Sequence, residues 1–151
     1  MQIIIGTDHR GFELKQEIML KIDKISGKEV KIIDIGCYEN EEIDFTDVVF
    51  DLIDKWNEDS VGILICKTGI GMSICANRFS NIRGAICKTI DDVISARSHN
   101  DANVLILGAK NENEDIFKMI DVFLNTSFND DEKYTRRVSK INSIKCTNKI
   151  N

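Results

Sequence analysis

The sequence predicts a three-layer α/β fold: a five-stranded parallel sheet, helices on both faces, and one further helix at the C-terminus. Three observations predict it. Short apolar runs recur along the chain, and each is followed by a stretch with helical periodicity. The runs are continuously apolar rather than alternating, the pattern of strands buried on both faces. Five strand–helix units in succession join such strands in parallel by helical crossovers. That is a Rossmann-like arrangement.

The elements follow in order. IIIG (3–6) is the first strand, with a helix from about Phe12 to Ile25. VKIIDIG (30–36) is the second, with a helix from about Asp44 to Trp56. VGILIC (61–66) precedes a helix from about Ile70 to Phe79. GAIC (84–87) precedes one from about Asp91 to Ser98. NVLILG (103–108) precedes one from about Glu112 to Leu124. A last helix spans roughly 131–144, and the polar tail CTNKIN reads as frayed. No linker, repeat or low-complexity segment divides the 151 residues, so the expectation is one domain.

Composition narrows the function classes. A net charge of −5 argues against a nucleic-acid binder, while leaving room for a local basic pocket. No apolar run approaches the roughly 18 residues of a membrane span. MQIIIGTDH lacks the basic start and long apolar stretch of a signal peptide and reads as a strand. Five cysteines, at 37, 66, 75, 87 and 146, include no CxxC pair. Reduced thiols in a cytoplasm are the expectation.

In a parallel α/β sheet, ligands bind beyond the carboxyl ends of the strands. Asp8 and His9 follow the first strand, Cys66–Gly71 the third, and Lys110 the fifth. These groups share one edge of the sheet, for which purely structural residues have no reason.

KTGIG (67–71) joins a strand to a helix. Glycines there permit positive φ and close approach to a ligand, and the helix N-terminus offers free N–H groups. The loop suits a phosphate or a developing oxyanion. It is neither a dinucleotide nor a nucleoside-triphosphate motif. From the loop alone, a tight turn accounts for the glycines equally well. Cys66, taken alone, reads as core; at the mouth of such a loop it reads as a thiolate base. Cys37, Cys75 and Cys87 read as core.

The two histidines are His9, on the ligand edge, and His99, at the end of the fourth helix. A lone histidine is usually a surface residue, yet imidazole also trades protons near neutral pH. Neither has metal-ligand spacing. Asp8 fits a helix N-cap. Lys133 and Arg137, in DEKYTRR, are four apart on one helix face. They form either a solvated face paired with Asp130, Asp131 and Glu132 or a phosphate clamp.

Read together, G-T-D-H-R-G at 6–11, I-C-K-T-G-I-G-M-S at 65–73, N-I-R-G at 81–84 and R-S-H-N-D-A-N-V at 97–104 resemble the ribose-5-phosphate isomerase B family. These sugar-phosphate isomerases include galactose-6-phosphate isomerase subunits. The resemblance covers nearly the whole chain. It implies aldose–ketose exchange through a cis-enediolate with no metal or cofactor, in pentose phosphate metabolism. Cys66 would move the proton between C1 and C2, and His99 would open the furanose ring. Thr68, with the N–H groups of Lys67, Gly69, Ile70 and Gly71 and with Ser73, would stabilise the enediolate oxygen. Asp8 and Asn100 would bind hydroxyls; His9, Lys110, Lys133 and Arg137 would meet the phosphate. It also implies a homodimer or homotetramer with sites between subunits, the His99 segment facing the partner's Cys66.

The chain departs from the family pattern at several positions. Lys67 stands where glycine is usual. Either its backbone adopts positive φ at a cost of roughly 1 kcal/mol, or the lysine sits unstrained and adds a charge beside Cys66. Lys110 and Lys133 replace arginines, a point charge for a bidentate fork. Phe45 and Thr46, after Asp44, stand where the family has tyrosine and proline. These changes bear on substrate choice, with a six-carbon phosphate (allose or galactose 6-phosphate) or a non-catalytic sugar-phosphate-binding subunit as the alternatives.

Overall fold

The computed structural model describes residues 1–27, 29–39, 41–110 and 115–144. Five strands, β1 (Gln2–Thr7), β2 (Lys31–Gly36), β3 (Ser60–Cys66), β4 (Gly84–Ile86) and β5 (Val104–Gly108), form one parallel sheet in the order β2-β1-β3-β5-β4. The helices are α1 (Phe12–Ser26), α2 (Phe45–Lys55), α3 (Ile70–Ala76), α4 (Ile90–Asn100), α5 (Ile116–Asn125) and α6 (Glu132–Asn142). The expected start of the fifth helix at Glu112, the polar tail and Cys146 lie outside the described residues.

The continuous apolar runs are explained by what each strand face meets. Ile3, Ile5, Ile63, Ile65, Leu105 and Leu107 bury one face under α1, α4 and α5. Ile4, Leu64, Val104 and Ile106 bury the other under α2 and α3. Successive residues therefore enter different cores, and each buried isoleucine or leucine contributes about 1.5–3 kcal/mol.

Helix boundaries follow local chemistry. Asp8 precedes a single 3₁₀ turn, His9–Gly11, and its carboxylate accepts from the Arg10 N–H at 2.9 Å. Helix α1 ends at Gly27, whose φ of +67° is the left-handed stop glycine supplies cheaply. Thr89 and Asp92 make a capping box at the start of α4. Helix α3 stops at Ala76, three residues short of the expected Phe79. The reason is Asn77: its amide donates to the Gly84 carbonyl and its carbonyl accepts from the Gly84 N–H, both at 2.9 Å. This pair diverts the chain into turns and hands it to β4.

The topology creates a crevice. Helices α1 and α4 carry the chain one place across the sheet in one direction, and α2 and α3 carry it two places in the other. Right-handed crossovers then put the two sets on opposite faces. The loops leaving β1 and β3 diverge, and the gap between them is where such sheets bind ligands. Among the described residues, no helix is long and apolar enough to cross a membrane.

Candidate active site

Cys66 closes β3 at this crevice and is only 6% exposed. Its sulfur accepts a hydrogen bond from the Gly69 N–H at 3.1 Å, and its carbonyl accepts from the Ala109 N–H at 2.8 Å. The first bond folds the loop back over the thiol; the second ties β3 to the exit of β5. Gly69 caps α3 at a φ of +80°, a region side chains avoid. The Thr68 hydroxyl accepts from the Ile70 N–H at 3.3 Å. Gly108 lets this loop lie on β5, since a Cβ there would come within 3.3 Å of the Thr68 backbone. Gly71 serves Phe45 in the same way: a Cβ would come within 2.9 Å of that ring. Lys67 is exposed and lies outside the left-handed region, because Asp101 is the sole non-glycine residue with positive φ among the described residues. Lysine is therefore accommodated after Cys66 without backbone strain. Lys110, at the exit of β5, is likewise exposed.

Across the crevice, Asp8 is buried and His9 half-buried. The His9 Nδ1 is buried without a hydrogen-bond partner among the described residues. The Thr7 hydroxyl lies between the carbonyls of Ile65, at 2.9 Å, and Asp8, at 2.8 Å, and pins β1 to β3. Gly11 is required by the same packing: a Cβ there would stand 2.3 Å from the Thr7 hydroxyl.

The remaining predicted residues form a second group. Helix α4 starts at the carboxyl edge and runs back, its 11 residues spanning about 16 Å. His99 and Asn100 are therefore near the amino edge, just before β5 begins, opposite Cys66. Helix α6 packs there. The Tyr134 ring stacks on His99 at 4.4 Å, tilted by 14°, and the Lys133 ammonium lies 4.5 Å from the other ring's centre, that of Tyr134. Lys133 and Arg137 are exposed on this helix. The solvated-face account holds for Arg136, which approaches Glu132 at 3.9 Å. One chain thus unites Asp8, His9, Cys66–Gly71, Ser73 and Lys110 at one edge, and His99, Asn100, Lys133 and Arg137 at the other.

Three features escaped the sequence reading. Lys15 is completely buried, its ammonium bound to the Asp34 carboxylate and to the carbonyls of Ile35, at 3.1 Å, and Cys37, at 2.7 Å. It clamps the exit of β2, whose Cys37 N–H donates to the Thr7 carbonyl at 2.9 Å. The signal was available: Lys15 shares the buried stripe of Gly11, Ile18, Ile22 and Ser26. The second is Asp101, at φ +47°, whose carboxylate meets Arg83 at 2.7 Å and Arg97 at 3.4 Å. Arg83 also donates to the Asp101 carbonyl at 2.7 Å, and Arg97 to the carbonyls of Ala102 and Thr126. Burial pulls the Arg97 guanidinium below its usual range, with Arg83 adding to the pull and Asp101 opposing it. The third is the Tyr134 stack.

The other thiols among the described residues are buried or half-buried. Cys37 is buried and donates to the Glu41 carbonyl at 3.4 Å. Burial pushes the Cys75 thiol up, and burial with the nearby Asp92 charge pushes Cys87 to about 12. Among the described residues, no group of three or more His, Cys, Asp or Glu is placed to hold a metal ion.

Comparison with known proteins fits this geometry. The chain is 46% identical over 142 residues to a Rickettsia conorii protein, named no more narrowly than a sugar phosphate isomerase, covering 92% of this chain and 96% of that one. It is 35% identical over 146 residues to ribose-5-phosphate isomerase B of Escherichia coli, covering 95% of each. The solved ribose 5-phosphate isomerase B of Anaplasma phagocytophilum superposes with a TM-score of 0.83 at 34% identity, covering 93% of this chain and 95% of that one. The family model described as Ribose/Galactose Isomerase matches residues 3–141, and the chain belongs to that family.

Proposed function

We propose that this chain interconverts ribose 5-phosphate and ribulose 5-phosphate, as a single domain working without a metal in the cytoplasm. The observation that carries the reading is the buried Cys66 sulfur under the Gly69 N–H, at the crevice that also holds Asp8 and His9. A proton next to a sugar carbonyl is weakly acidic. Its removal needs a base and a donor to the developing oxyanion, and this loop offers both within one turn.

In the proposed reaction, His99 takes the anomeric hydroxyl proton and supplies one to the ring oxygen, opening the furanose. The Cys66 thiolate then removes the C2 proton, and the electron pair moves onto the carbonyl oxygen to give a cis-enediolate. Thr68, Ser73 and the loop N–H groups from Lys67 to Gly71 hold that oxygen. The O2 hydroxyl proton then passes to O1, the carbonyl re-forms at C2, and the thiol returns its proton to C1. Asp8 and Asn100 bind hydroxyls. His9, with its unpartnered Nδ1, joins Lys110, Lys133 and Arg137 at the phosphate.

Two copies are part of this reading. Cys66 and His99 occupy opposite edges of one chain, so a single copy holds two half-sites. Strand β4 is an open edge, and an apolar groove lined by Phe79, Ile82, Ile86, Ile141 and Ile144 runs along it. We assign this surface to the partner in a homodimer, alone or paired into a tetramer.

The test is turnover of ribose 5-phosphate by the purified protein, with and without chelator, beside allose 6-phosphate and galactose 6-phosphate. Ribulose 5-phosphate formation unaffected by chelator supports the reading. Turnover of a six-carbon phosphate alone replaces the substrate, and binding without turnover replaces the enzyme by a binding subunit. Sedimentation reads the oligomeric state.

A further inference from the structure

The ring of His99 lies against Tyr134 and is otherwise unheld. The two planes are 4.4 Å apart between centres and tilted by 14°. Neither imidazole nitrogen of His99 makes a hydrogen bond among the described residues. A histidine that moves protons is usually oriented by a hydrogen bond from one nitrogen to a carboxylate or carbonyl. That device would occupy one of the two nitrogens. A face-to-face aromatic contact uses only the π surface and leaves both nitrogens open at the ring edge.

We infer that Tyr134 is the positioning residue for His99, fixing the imidazole plane by stacking so that both ring nitrogens stay available to the sugar. The inference rests on the proposed ring-opening role of His99. The backbone beneath His99 is already held: Asp101, two residues on, is locked at φ +47° between Arg83 and Arg97. What remains free is side-chain torsion, and the stack removes it. The Tyr134 hydroxyl makes no hydrogen bond among the described residues, so the ring is what this position uses. The same ring carries the Lys133 ammonium at 4.5 Å. One aromatic side chain therefore sets the spacing between a proposed phosphate cation and the proposed ring-opening group.

Ribulose 5-phosphate separates the two chemical steps. It has no ring to open, because the hydroxyl that would close a five-membered ring carries the phosphate. Deuterium wash-in at its C1 from D2O reports enolisation alone, whereas conversion of ribose 5-phosphate needs ring opening as well. Tyr134→Leu is expected to lower ribose 5-phosphate conversion about tenfold and to leave wash-in within about twofold. Tyr134→Phe is expected to restore both. In NMR spectra the His99 ring protons should show the upfield shift of a stacked aromatic in the parent and in Tyr134→Phe, and lose it in Tyr134→Leu. Unchanged conversion in Tyr134→Leu, equal loss in Tyr134→Phe, or parallel loss of both readouts overturns the inference. If Tyr134→Leu does not fold, Tyr134→Gln takes its place, with the same expected and overturning results. His99→Ala is the control: full conversion by that variant removes the ring-opening role itself, a separate failure from that of Tyr134.

Discussion

The Gly69 N–H points at the Cys66 sulfur from 3.1 Å, across a turn of three residues. This contact ties the thiol, which also packs in the core under α2 and α3, to the loop above it. Cys66→Ala is expected to stay folded, with a melting temperature within about 4 °C of the parent. Its kcat for ribose 5-phosphate is expected to fall by about 10²–10⁴-fold. A coupled assay with calorimetry reads both, and an active Cys66→Ala protein would show that the base lies elsewhere.

Gly69 itself carries a stereochemical demand. At φ +80° an alanine pays roughly 1–2 kcal/mol for the left-handed backbone, and its Cβ would stand 3.2 Å from the Ile106 side chain. Gly69→Ala should lower both the urea midpoint and kcat, the latter because the N–H leaves the sulfur. Loss of stability with kcat intact would separate the turn from the chemistry.

Lys15 is the largest buried ionic commitment in the described fold. Lys15→Met removes the ammonium and strands the Asp34 carboxylate and two carbonyls. Because Asp34 keeps partial access to water, the expected cost is about 2–3 kcal/mol, below that of a fully buried pair. Adding Asp34→Asn should recover part of it. Urea unfolding of both variants decides whether the clamp on the β2 exit is electrostatic.

Cys87 predicts an alkaline slope. Burial and Asp92 hold its thiol near 12, against 9.0 for an unperturbed thiol. The folded state therefore keeps its proton where the unfolded state loses it. Stability from this group is complete below about pH 9 and is lost as pH rises toward 12. Cys87→Ala should flatten the fall in urea midpoint over that window. At pH 8, native Cys87 should resist alkylation that unfolding permits.

Much of this was readable from the sequence, for identifiable reasons. Strands buried on both faces have to be apolar throughout, so Ile3–Ile5, Ile63–Ile65 and Val104–Leu107 declared themselves. Residues just past such strands lie on one edge by topology, which located Asp8, His9, Cys66 and Lys110. The same logic could not place His99. It sits at the far end of a return helix, and only the family resemblance pointed to it. Side-chain partnerships were the least legible. Lys15 fits a helical stripe whether its ammonium snorkels or is swallowed, and its three acceptors come from segments about 20 residues away. Asn77 likewise ended α3 early through a pairing with Gly84 that no local propensity encodes.

The separation of Cys66 from His99 has a genetic consequence. Under the proposed two-fold pairing, each catalytic centre would take its cysteine from one polypeptide and its histidine from the other. A Cys66→Ala chain mixed with a His99→Ala chain then regenerates one intact centre in every hybrid, beside one doubly broken one. Two inactive proteins, unfolded together and refolded as an equal mixture, should recover about a quarter of the parent activity. The two alleles would complement, although both lie in one gene.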